Sequence, residues 1–246
     1  MERRRRLLRG KSVVVTGASG GIGSAIARRC AAEGARVGVH YHARREPAEA
    51  LARELGGVAL GFDVRDVAGI AAGIDTFTAG GEGLELWVNA AGVHNAGLLV
   101  SVDEAALVEQ ISVNLLGTIL CTRAVLPRLL QQRAGVVLNV SSVSATAPVP
   151  GGAAYAASKA GVEAFTRAVA LEYGRKGIRA VCVRPGPIQT PMLSTALALG
   201  GDQAQNRTAL RQLGEPADVA SLAVYLLSEQ ARFITGSVHA VDGGFT

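Results

Sequence analysis

The 246-residue chain is long enough for one large α/β domain, and no linker-like segment divides it. Apolar residues make up 49% of the sequence and aromatic residues 4%, and the 31 glycines favour tightly packed βα units over a β-sandwich or a disordered chain. The net charge of +5 is concentrated in residues 1–10, whose five arginines and one glutamate contribute +4 of it. This basic N-terminal tail could contact an anionic partner, but it is more typical of a solvated, frayed terminus than of a nucleic-acid-binding surface.

The three cysteines, Cys30, Cys121 and Cys182, are widely separated and show no metal-binding or redox spacing. A reduced, cytoplasmic setting without a metal site is the simplest interpretation. No apolar run reaches the roughly 18–20 residues needed to cross a bilayer, and no apolar segment of a targeting peptide precedes the first strand. We therefore expect a cytoplasmic protein that contacts neither a membrane nor nucleic acid.

The first predicted strand, residues 12–16, stops at a glycine-rich turn and is followed by a helical pattern over residues 24–33. A strand, a glycine turn and a helix in this order form the phosphate-binding opening of a dinucleotide-binding fold. Glycines permit a sharp turn close to the pyrophosphate, whose charge lies at the helix N-terminus. The spacing is T-G-x-x-x-G-x-G rather than G-x-G-x-x-G. The expected cofactor contacts in this turn are Gly17, Ser19, Gly21, Ile22 and Gly23.

The end of the second strand, residues 36–41, bears on the choice of cofactor. An acidic residue there would hydrogen-bond the ribose of NAD, but the first acid is Glu46, and His40 is followed by Arg44 and Arg45. A guanidinium binds a 2′-phosphate through charge-assisted hydrogen bonds, whereas a carboxylate repels it. We therefore favour NADPH, with Arg44 or Arg45 as the clamp and His40 among the contacts, while NADH stays open. The alternative is that both arginines are ordinary solvated residues at a helix start.

Two further strand ends supply candidate contacts. Asp63 and Val64 would meet an adenine edge, although Asp63 could equally cap a loop. Small residues after the fourth strand permit close approach of a flat ligand, and this group consists of Asn89, Ala90, Ala91 and Gly92. Asn114 is polar within a long, largely helical and apolar stretch, and a buried amide needs partners. It is either a structural cap at a kink or part of a functional relay.

The apolar run 136–140 predicts a buried strand that delivers the hydroxyl of Ser142 to its carboxyl end. Tyr155 and Lys159 follow with the four-residue spacing that places two side chains on one face of a helix. A phenol has a reference pKa of about 10, and a nearby ammonium can lower that pKa by roughly 1–3 units. Such a pair can exchange a proton with a carbonyl or an alcohol near neutral pH, although Tyr-x-x-x-Lys also arises by chance in amphipathic helices.

The remaining third of the chain begins with a predicted strand over residues 178–183 and a turn over 184–190. Residues 190–213 are rich in alanine, leucine and glycine, which suits a lid over a substrate. A helix over residues 216–228 and a strand over 237–241 complete the predicted elements.

The order and spacing of these motifs resemble those of classical short-chain dehydrogenases/reductases, from Lys11 to the C-terminus. The motifs that carry the resemblance are the glycine turn at 16–23, the segment 89–92, Asn114, Ser142, Tyr155 with Lys159, and Pro185-Gly186. Segments 213–219 and 234–244 are similar to the 3-oxoacyl-acyl-carrier-protein reductases, although such segments recur in other bacterial members. One departure is Ala90, where the family often has a second asparagine whose amide stabilises the strand end.

The resemblance implies a single Rossmann-type domain over residues 11–246, a doubly wound parallel sheet of about seven strands with helices on both faces. It also implies that Tyr155 donates a proton to the substrate carbonyl, while Lys159 lowers the pKa of Tyr155 and holds the nicotinamide ribose. Ser142, thirteen residues before Tyr155, would hydrogen-bond the substrate oxygen, and Asn114 would support a water relay to Lys159. The further cofactor contacts would be Tyr155, Lys159, Pro185, Gly186, Ile188 and Thr190, with the last two at the nicotinamide carboxamide.

The expected reaction is the NADPH-dependent reduction of a ketone to a secondary alcohol, with a 3-oxoacyl thioester of acyl carrier protein or coenzyme A as the preferred substrate. In similar reductases basic residues dock the acidic carrier protein, and Arg133 and Lys176 resemble those residues, although Lys176 could equally be a cation facing a helix dipole. A homotetramer is expected by resemblance alone. The alternatives are a dehydrogenase of another secondary alcohol, sugar or steroid, and a non-catalytic nucleotide sensor, which would not need the four candidate catalytic residues together.

Overall fold

The computed structural model describes residues 6–193 and 203–246. Within these residues, a seven-stranded parallel sheet has the order β3-β2-β1-β4-β5-β6-β7. The strands are β1 Ser12–Val15, β2 Arg36–Tyr41, β3 Val58–Gly61, β4 Leu86–Asn89, β5 Gly135–Val140, β6 Ile178–Pro185 and β7 Val238–Val241. This order confirms the predicted doubly wound parallel sheet.

Helices cover both faces of the sheet, because successive side chains of a strand point to opposite sides. Val13 and Val15 enter one core together with side chains of α1, α2 and α7, whereas Val14 enters the other with α3 and α5. Ala180 of β6 packs against α6 on that second face. The helices are α1 Gly21–Ala32, α2 Arg45–Leu55, α3 Val67–Phe77, α4 Glu104–Ile111, α5 Gly117–Gln132, α6 Ala153–Tyr173 and α7 Pro216–Leu227.

The strand order reverses between β1 and β4, which lie side by side at the centre of the sheet. In open parallel sheets, ligands bind outside the carboxyl ends of the strands at such a reversal. The segments that follow β1, β4, β5 and β6 all leave the sheet at this edge and carry most of the predicted site residues. The fold therefore places the glycine turn, the 89–92 turn and Ser142 around one crevice.

Helices α4 and α5 are joined by a π-helical turn, Ser112–Leu116, into one continuous helical stretch. In the described part of the chain this stretch, Glu104–Gln132, meets the length and composition of a membrane span, with a mean hydropathy of 1.4. Its side chains Cys121, Val125 and Leu129 are fully buried against the sheet. The stretch is therefore a packed helix of the domain, although its apolar length exceeds what the sequence pattern suggested.

The structure corrects the expectation of a frayed N-terminal tail for residues 6–10, the part of the tail that it describes. Leu8 is only 1% exposed and belongs to the core shared with α1. The backbone N–H groups of Leu7 and Leu8 donate to the carboxylate and the carbonyl oxygen of Glu33, both at 3.0 Å. Two leucines among the arginines anchor this segment, a feature that the charge count conceals.

The predicted lid, residues 190–213, lies partly outside the described residues, which omit 194–202. Beyond this gap, a short helical turn at Gln203–Asn206 leads into a segment that pairs with the C-terminus. Ala209 N donates to Gly244 O and Leu210 N donates to Gly243 O, both at 3.1 Å. The last residues of the chain therefore hold the far end of the predicted lid.

Candidate active site

Ser142 and Tyr155 meet at the carboxyl end of β5. Ser142 is the second residue after the strand, and its Oγ accepts a hydrogen bond from the N–H of Ser144 at 3.2 Å. Tyr155 lies in the first turn of α6, where a hydrogen bond from Ser142 lowers the pKa of its phenol. Burial has the larger, opposite effect and raises the pKa of Tyr155 above its ordinary value of 10.0. The raised pKa keeps the phenol protonated at neutral pH, and Ser142 is the side chain that opposes the shift.

Lys159 lies one helical turn after Tyr155 and is almost completely buried. Its Nζ donates to the carbonyl of Val140 at 3.0 Å and lies 5.7 Å from the centre of the Tyr155 ring. Burial lowers the pKa of Lys159 to about 8, opposed by the neighbouring Cys182. The ammonium is directed at a backbone carbonyl, and desolvation is the largest influence on the pKa of the phenol. The expected lowering of the Tyr155 pKa by Lys159 stays a prediction.

Asn114 lies in the π-helical turn and clamps the segment after β4 to α6. Its Oδ1 accepts from Val93 N at 2.8 Å, and its Nδ2 donates to Val93 O at 2.9 Å and to Ser158 Oγ at 3.2 Å. The side chain is fully buried, and its donors and acceptor are all used in these bonds. Of the two interpretations of Asn114, the structure supports the structural one directly, while the water relay stays a prediction.

His40, in β2, supports the glycine turn after β1 by hydrogen bonding. The N–H of Gly17 donates to His40 Nδ1 at 3.0 Å, and His40 Nε2 lies 2.9 Å from Phe62 O. Burial lowers the pKa of His40 to about 4, so the ring is neutral, with Nδ1 accepting and Nε2 donating. Both ring nitrogens of His40 are used within the protein, where they support the turn. The expected contact of His40 with the cofactor stays a prediction.

Two glycines in this turn are required by close approaches of the backbone. A Cβ on Gly17, whose φ is +66°, would lie 2.8 Å from Ala91 Cα, and a Cβ on Gly23 would collide with the carbonyl oxygen of Gly17. Of the other expected contacts, Ser19 lies in the turn itself, and Ile22 begins α1 and packs against the core. The turn is thus closed tightly around the start of α1, as a pyrophosphate site requires.

The turn after β4 is bonded to the end of β1. The N–H groups of Ala90 and Ala91 both donate to Thr16 Oγ1, at 3.0 and 3.1 Å. These two bonds fix the segment in which the family often has a second asparagine. Asn89 was expected to contact the cofactor, but its amide bonds Trp87, Thr122 and Asn139 inside the protein. The neighbouring Gly92 lies beside Lys159 and close to Asn114, because a Cβ there would be 3.1 Å from Asn114 Oδ1 and 3.5 Å from Lys159 Nζ.

The structure distinguishes the two arginines that follow β2. The guanidinium of Arg44 lies over the glycine turn, since a Cβ on Gly20 would be 2.6 Å from Arg44 Nη1. Arg45 instead donates from Nε to Glu49 Oε1 at 2.7 Å along the exposed face of α2. Arg44 is therefore positioned to bind a phosphate beside the turn, whereas Arg45 is engaged elsewhere.

The remaining residues that were predicted to contact the cofactor lie at the carboxyl ends of β3 and β6. Asp63 is bound by Arg65 Nη2 at 2.6 Å, which lowers the pKa of Asp63 to about 2, and Val64 is buried. The turn from Pro185 and Gly186 to Thr190 reaches the glycine turn, where a Cβ on Gly21 would lie 3.6 Å from Thr190 Cγ2. Ile188 is 4% exposed and packs into the core, so only its backbone can face a ligand.

Two features of the site do not follow from the spacing of residues along the chain. Ser141 Oγ, Glu163 and Arg184 form a buried network, in which Arg184 donates to both carboxylate oxygens of Glu163 at 2.8 and 2.7 Å. His94 packs against the ring of Tyr155 with centroids 4.6 Å apart. The sequence contains one signal for each feature. Arg184 is a charged residue at the end of an apolar strand, and His94 is a titratable residue just after the turn at 89–92.

The described residues fit a dinucleotide cofactor. The glycine turn, the tightly packed 89–92 turn and Thr190 converge at one edge of the sheet, beside the Ser142–Tyr155 pair and Lys159. The glycine turn also lies at the N-terminus of α1, which favours a pyrophosphate. Among residues 6–193 and 203–246, no cluster of three metal-ligating side chains occurs.

Comparison with known proteins agrees with this geometry. Residues 17–246 match the family model described as Enoyl-(Acyl carrier protein) reductase. The chain is 39% identical to 3beta-hydroxysteroid dehydrogenase 1 of Eggerthella lenta, over 97% of this chain and 95% of that protein. It is 35% identical to the 3-oxoacyl-acyl-carrier-protein reductase of Staphylococcus aureus, over 95% and 97% of the two chains.

A solved structure extends the agreement to the fold. The short-chain dehydrogenase of Burkholderia cenocepacia, crystallised in complex with NADP, superposes with a TM-score of 0.87 at 31% identity, covering 97% of this chain and 98% of that one. The site geometry, the family match and these relatives lead to one conclusion: the chain belongs to the short-chain dehydrogenase/reductase family of NAD(P)-dependent oxidoreductases.

Proposed function

We propose that the protein catalyses the NADPH-dependent reduction of a 3-oxoacyl thioester to the 3-hydroxyacyl thioester. The observation that carries the proposal is the placement of Ser142 after β5 and of Tyr155 at the start of α6, with the buried Lys159 Nζ 5.7 Å from the centre of the Tyr155 ring. A protonated phenol beside the carbonyl oxygen is the acid that the reductive direction needs. The oxidative direction would favour a phenolate instead.

The roles of the residues follow from their positions. NADPH, when bound, supplies the hydride that adds to the carbonyl carbon. Ser142 and Tyr155 donate hydrogen bonds to the carbonyl oxygen, and Tyr155 transfers its proton to that oxygen as negative charge develops there. Lys159, held by Val140 O beside Gly92, provides a positive charge next to the phenol that is left ionised. The product is a secondary alcohol, and Tyr155 regains a proton from solvent.

The preference for NADPH rests on Arg44. Its guanidinium lies over Gly20 at the edge of the glycine turn, and no acidic residue occupies the end of β2. A guanidinium forms paired charge-assisted hydrogen bonds with a phosphate, whereas NADH offers it no such group. NADH would still fit the glycine turn, so the proposal concerns preference and not exclusion.

The choice of substrate is supported by the C-terminal resemblance and by the 35% identity to a 3-oxoacyl-acyl-carrier-protein reductase. The 39% identity to a 3beta-hydroxysteroid dehydrogenase supports a second candidate, an NAD(P)-dependent dehydrogenase of a hydroxysteroid. The two candidates share the hydroxyl pair and the cofactor site and differ in what surrounds the reacting carbon. Direct comparison of the two substrate classes separates them.

For a carrier-bound substrate, we propose docking at Arg133 and Lys176 within a homotetramer. Arg133 ends α5 and Lys176 closes the turn after α6, just before β5 and β6 begin. Both cations lie at the edge of the sheet opposite to Ser142. The docking proposal therefore includes delivery of the substrate to the site of another copy. Replacing both with glutamate should raise KM for the carrier thioester but not for the coenzyme A thioester, and light scattering tests the tetramer.

The test of the proposed function is oxidation of the cofactor with an acetoacetyl thioester, measured with NADPH and with NADH. We expect turnover with NADPH, loss of turnover in Tyr155→Phe, and retained activity in Tyr173→Phe at the far end of the same helix. Oxidation of a 3β-hydroxysteroid with NAD⁺ or NADP⁺ is measured in parallel. Turnover of the steroid without turnover of the thioester would replace the first candidate with the second.

A further inference from the structure

His94 is held in a fixed position beside Tyr155 by its two neighbours in the chain. The backbone of Val93 is bonded at both N and O to the buried amide of Asn114, at 2.8 and 2.9 Å. The N–H of Asn95 donates to Oε1 of Gln110 at 2.6 Å, and Gln110 is also buried. With both flanking residues anchored to the α4–α5 helical stretch, the backbone on either side of His94 is held in place.

The imidazole of His94 packs on the Tyr155 ring with an interplanar angle of 54° and a centroid distance of 4.6 Å. The side chain is half-buried, and burial lowers its pKa, so the ring is neutral at physiological pH. A neutral imidazole carries one N–H donor and one acceptor. Within the described chain, neither ring nitrogen of His94 has a hydrogen-bond partner in the protein, and the half-exposed ring leaves them accessible to a ligand.

A 3-oxoacyl thioester offers the partner that His94 lacks. In such a substrate one methylene separates the reacting carbon from the thioester carbonyl carbon. A substrate whose keto oxygen is bound by Ser142 and Tyr155 can therefore bring its second oxygen close to the Tyr155 ring, on which the imidazole packs. An imidazole N–H packed on that ring is suited to donate to this second oxygen. A steroid or a simple ketone presents only carbon at the same place and would leave the imidazole unpaired, which disfavours binding.

Resting on the proposed function, we propose that His94 is a specificity-determining residue that donates a hydrogen bond to the second carbonyl oxygen of a 1,3-dicarbonyl substrate. Ser142 and Tyr155 recognise the oxygen that reacts, and His94 recognises the oxygen that does not. The substrate class that this arrangement selects is a ketone with an acyl oxygen at the β position.

The experiment compares two substrates in the full-length enzyme with saturating NADPH: an acetoacetyl thioester and a linear methyl ketone of similar length without the second carbonyl. His94→Phe keeps a ring against Tyr155 and removes both nitrogens. We expect kcat/KM for the thioester to fall about ten- to hundredfold, mainly through KM, because one hydrogen bond to a neutral acceptor is lost. The value for the methyl ketone should stay within about twofold.

Two rescue variants complete the test. Asparagine places an amide near Nδ1 of the original ring and glutamine places one near Nε2, so one of His94→Asn and His94→Gln should recover the thioester activity in part. Melting temperature and NADPH affinity are measured for each variant, to establish that the fold and cofactor site are intact. Recovery by either amide supports the hydrogen bond and identifies the nitrogen that donates it.

Equal losses of activity on both substrates in His94→Phe, or no loss on either, would overturn the inference while leaving the proposed function in place. A wild-type enzyme that reduces the methyl ketone but not the thioester would overturn both. A selective loss on the thioester without rescue by either amide would also overturn it, because the imidazole would then act through its shape alone.

Discussion

The carboxylate of Glu163 receives two hydrogen bonds from the guanidinium of Arg184, which join α6 to the end of β6 directly behind the active-site hydroxyls. The same carboxylate accepts from Ser141 Oγ at 2.9 Å, and Ser141 precedes Ser142 in the chain. One acidic group therefore connects the three elements that carry Ser142, Lys159 and the turn at Pro185. Glu163 is 4% exposed, so the pair is largely withdrawn from solvent.

This connection predicts a large effect of Glu163→Gln on stability. The substitution preserves the shape of the side chain but leaves the Arg184 guanidinium without its counter-charge in a mostly buried position. Removing one partner of a buried pair typically costs about 3–5 kcal/mol, and the partial exposure of Arg184 reduces the expected loss in free energy of unfolding to about 2–3 kcal/mol. Urea unfolding of the two proteins measures it.

The control for this prediction is a double-mutant cycle with Arg184→Met. If the two charges act as a pair, the double variant should lose less stability than the sum of the single variants, with a coupling energy of about 1–3 kcal/mol. Additive losses would mean that the two side chains stabilise the protein independently of each other.

The different surroundings of Arg44 and Arg45 predict a cofactor selectivity that resides in one residue. Arg44→Ala should raise the dissociation constant for NADPH about ten- to hundredfold, because charge-assisted hydrogen bonds to a phosphate are lost, and should change that for NADH little. Arg45→Ala is the matched control and should change neither, since Arg45 is paired with Glu49. Isothermal titration with both nucleotides measures the selectivity. Similar losses of affinity for NADPH and NADH in Arg44→Ala would show that Arg44 supports the turn and does not bind the 2′-phosphate.

Much of the fold follows from local pattern. The strands are short, apolar and rich in β-branched residues because both faces of a parallel sheet are buried, and the predicted second strand has the same bounds as β2. The glycine turn is equally local, since strand, turn and helix are contiguous. The prediction of a frayed N-terminal tail was wrong for residues 6–10 because it rested on the charge of the five arginines. Burial of the apolar side chain of Leu8 decides where this segment lies.

The site was only partly predictable, because its finer contacts depend on how distant elements align. The bonds between Glu163 and Arg184 depend on the packing of α6 against β6, twenty-one residues further along the chain. The same holds for His94, whose ring meets Tyr155 only when the turn after β4 and the start of α6 are brought together. Spacing along a helix correctly placed Lys159 near Tyr155, but the direction of its ammonium is fixed by Val140 on another element.

The close packing inside the glycine turn predicts that Gly23→Ala impairs nucleotide binding. A Cβ at this position would collide with the carbonyl oxygen of Gly17, so the turn would have to open at the point where a pyrophosphate is bound. We expect the affinity for NADPH and NADH to fall together by at least tenfold, measured by fluorescence titration. Gly174→Ala is the control, because Gly174 has helical backbone angles and open space around its Cβ position. Unchanged affinity in Gly23→Ala would contradict the close contact.

The neutral, buried ring of His40 predicts a loss of stability in mild acid. Burial lowers the pKa of His40 from 6.5 to about 4, so between these values the unfolded chain binds a proton that the folded chain does not. The stabilisation is complete above pH 6.5 and is lost as the pH falls towards 4, by up to about 3 kcal/mol. Urea unfolding of the wild type and of His40→Gln across this range isolates the contribution, because the other titrating groups are common to both proteins. Parallel pH profiles for the two proteins would mean that His40 is protonated in the fold, which is incompatible with Nδ1 accepting the hydrogen bond of Gly17 and Nε2 donating to Phe62 O.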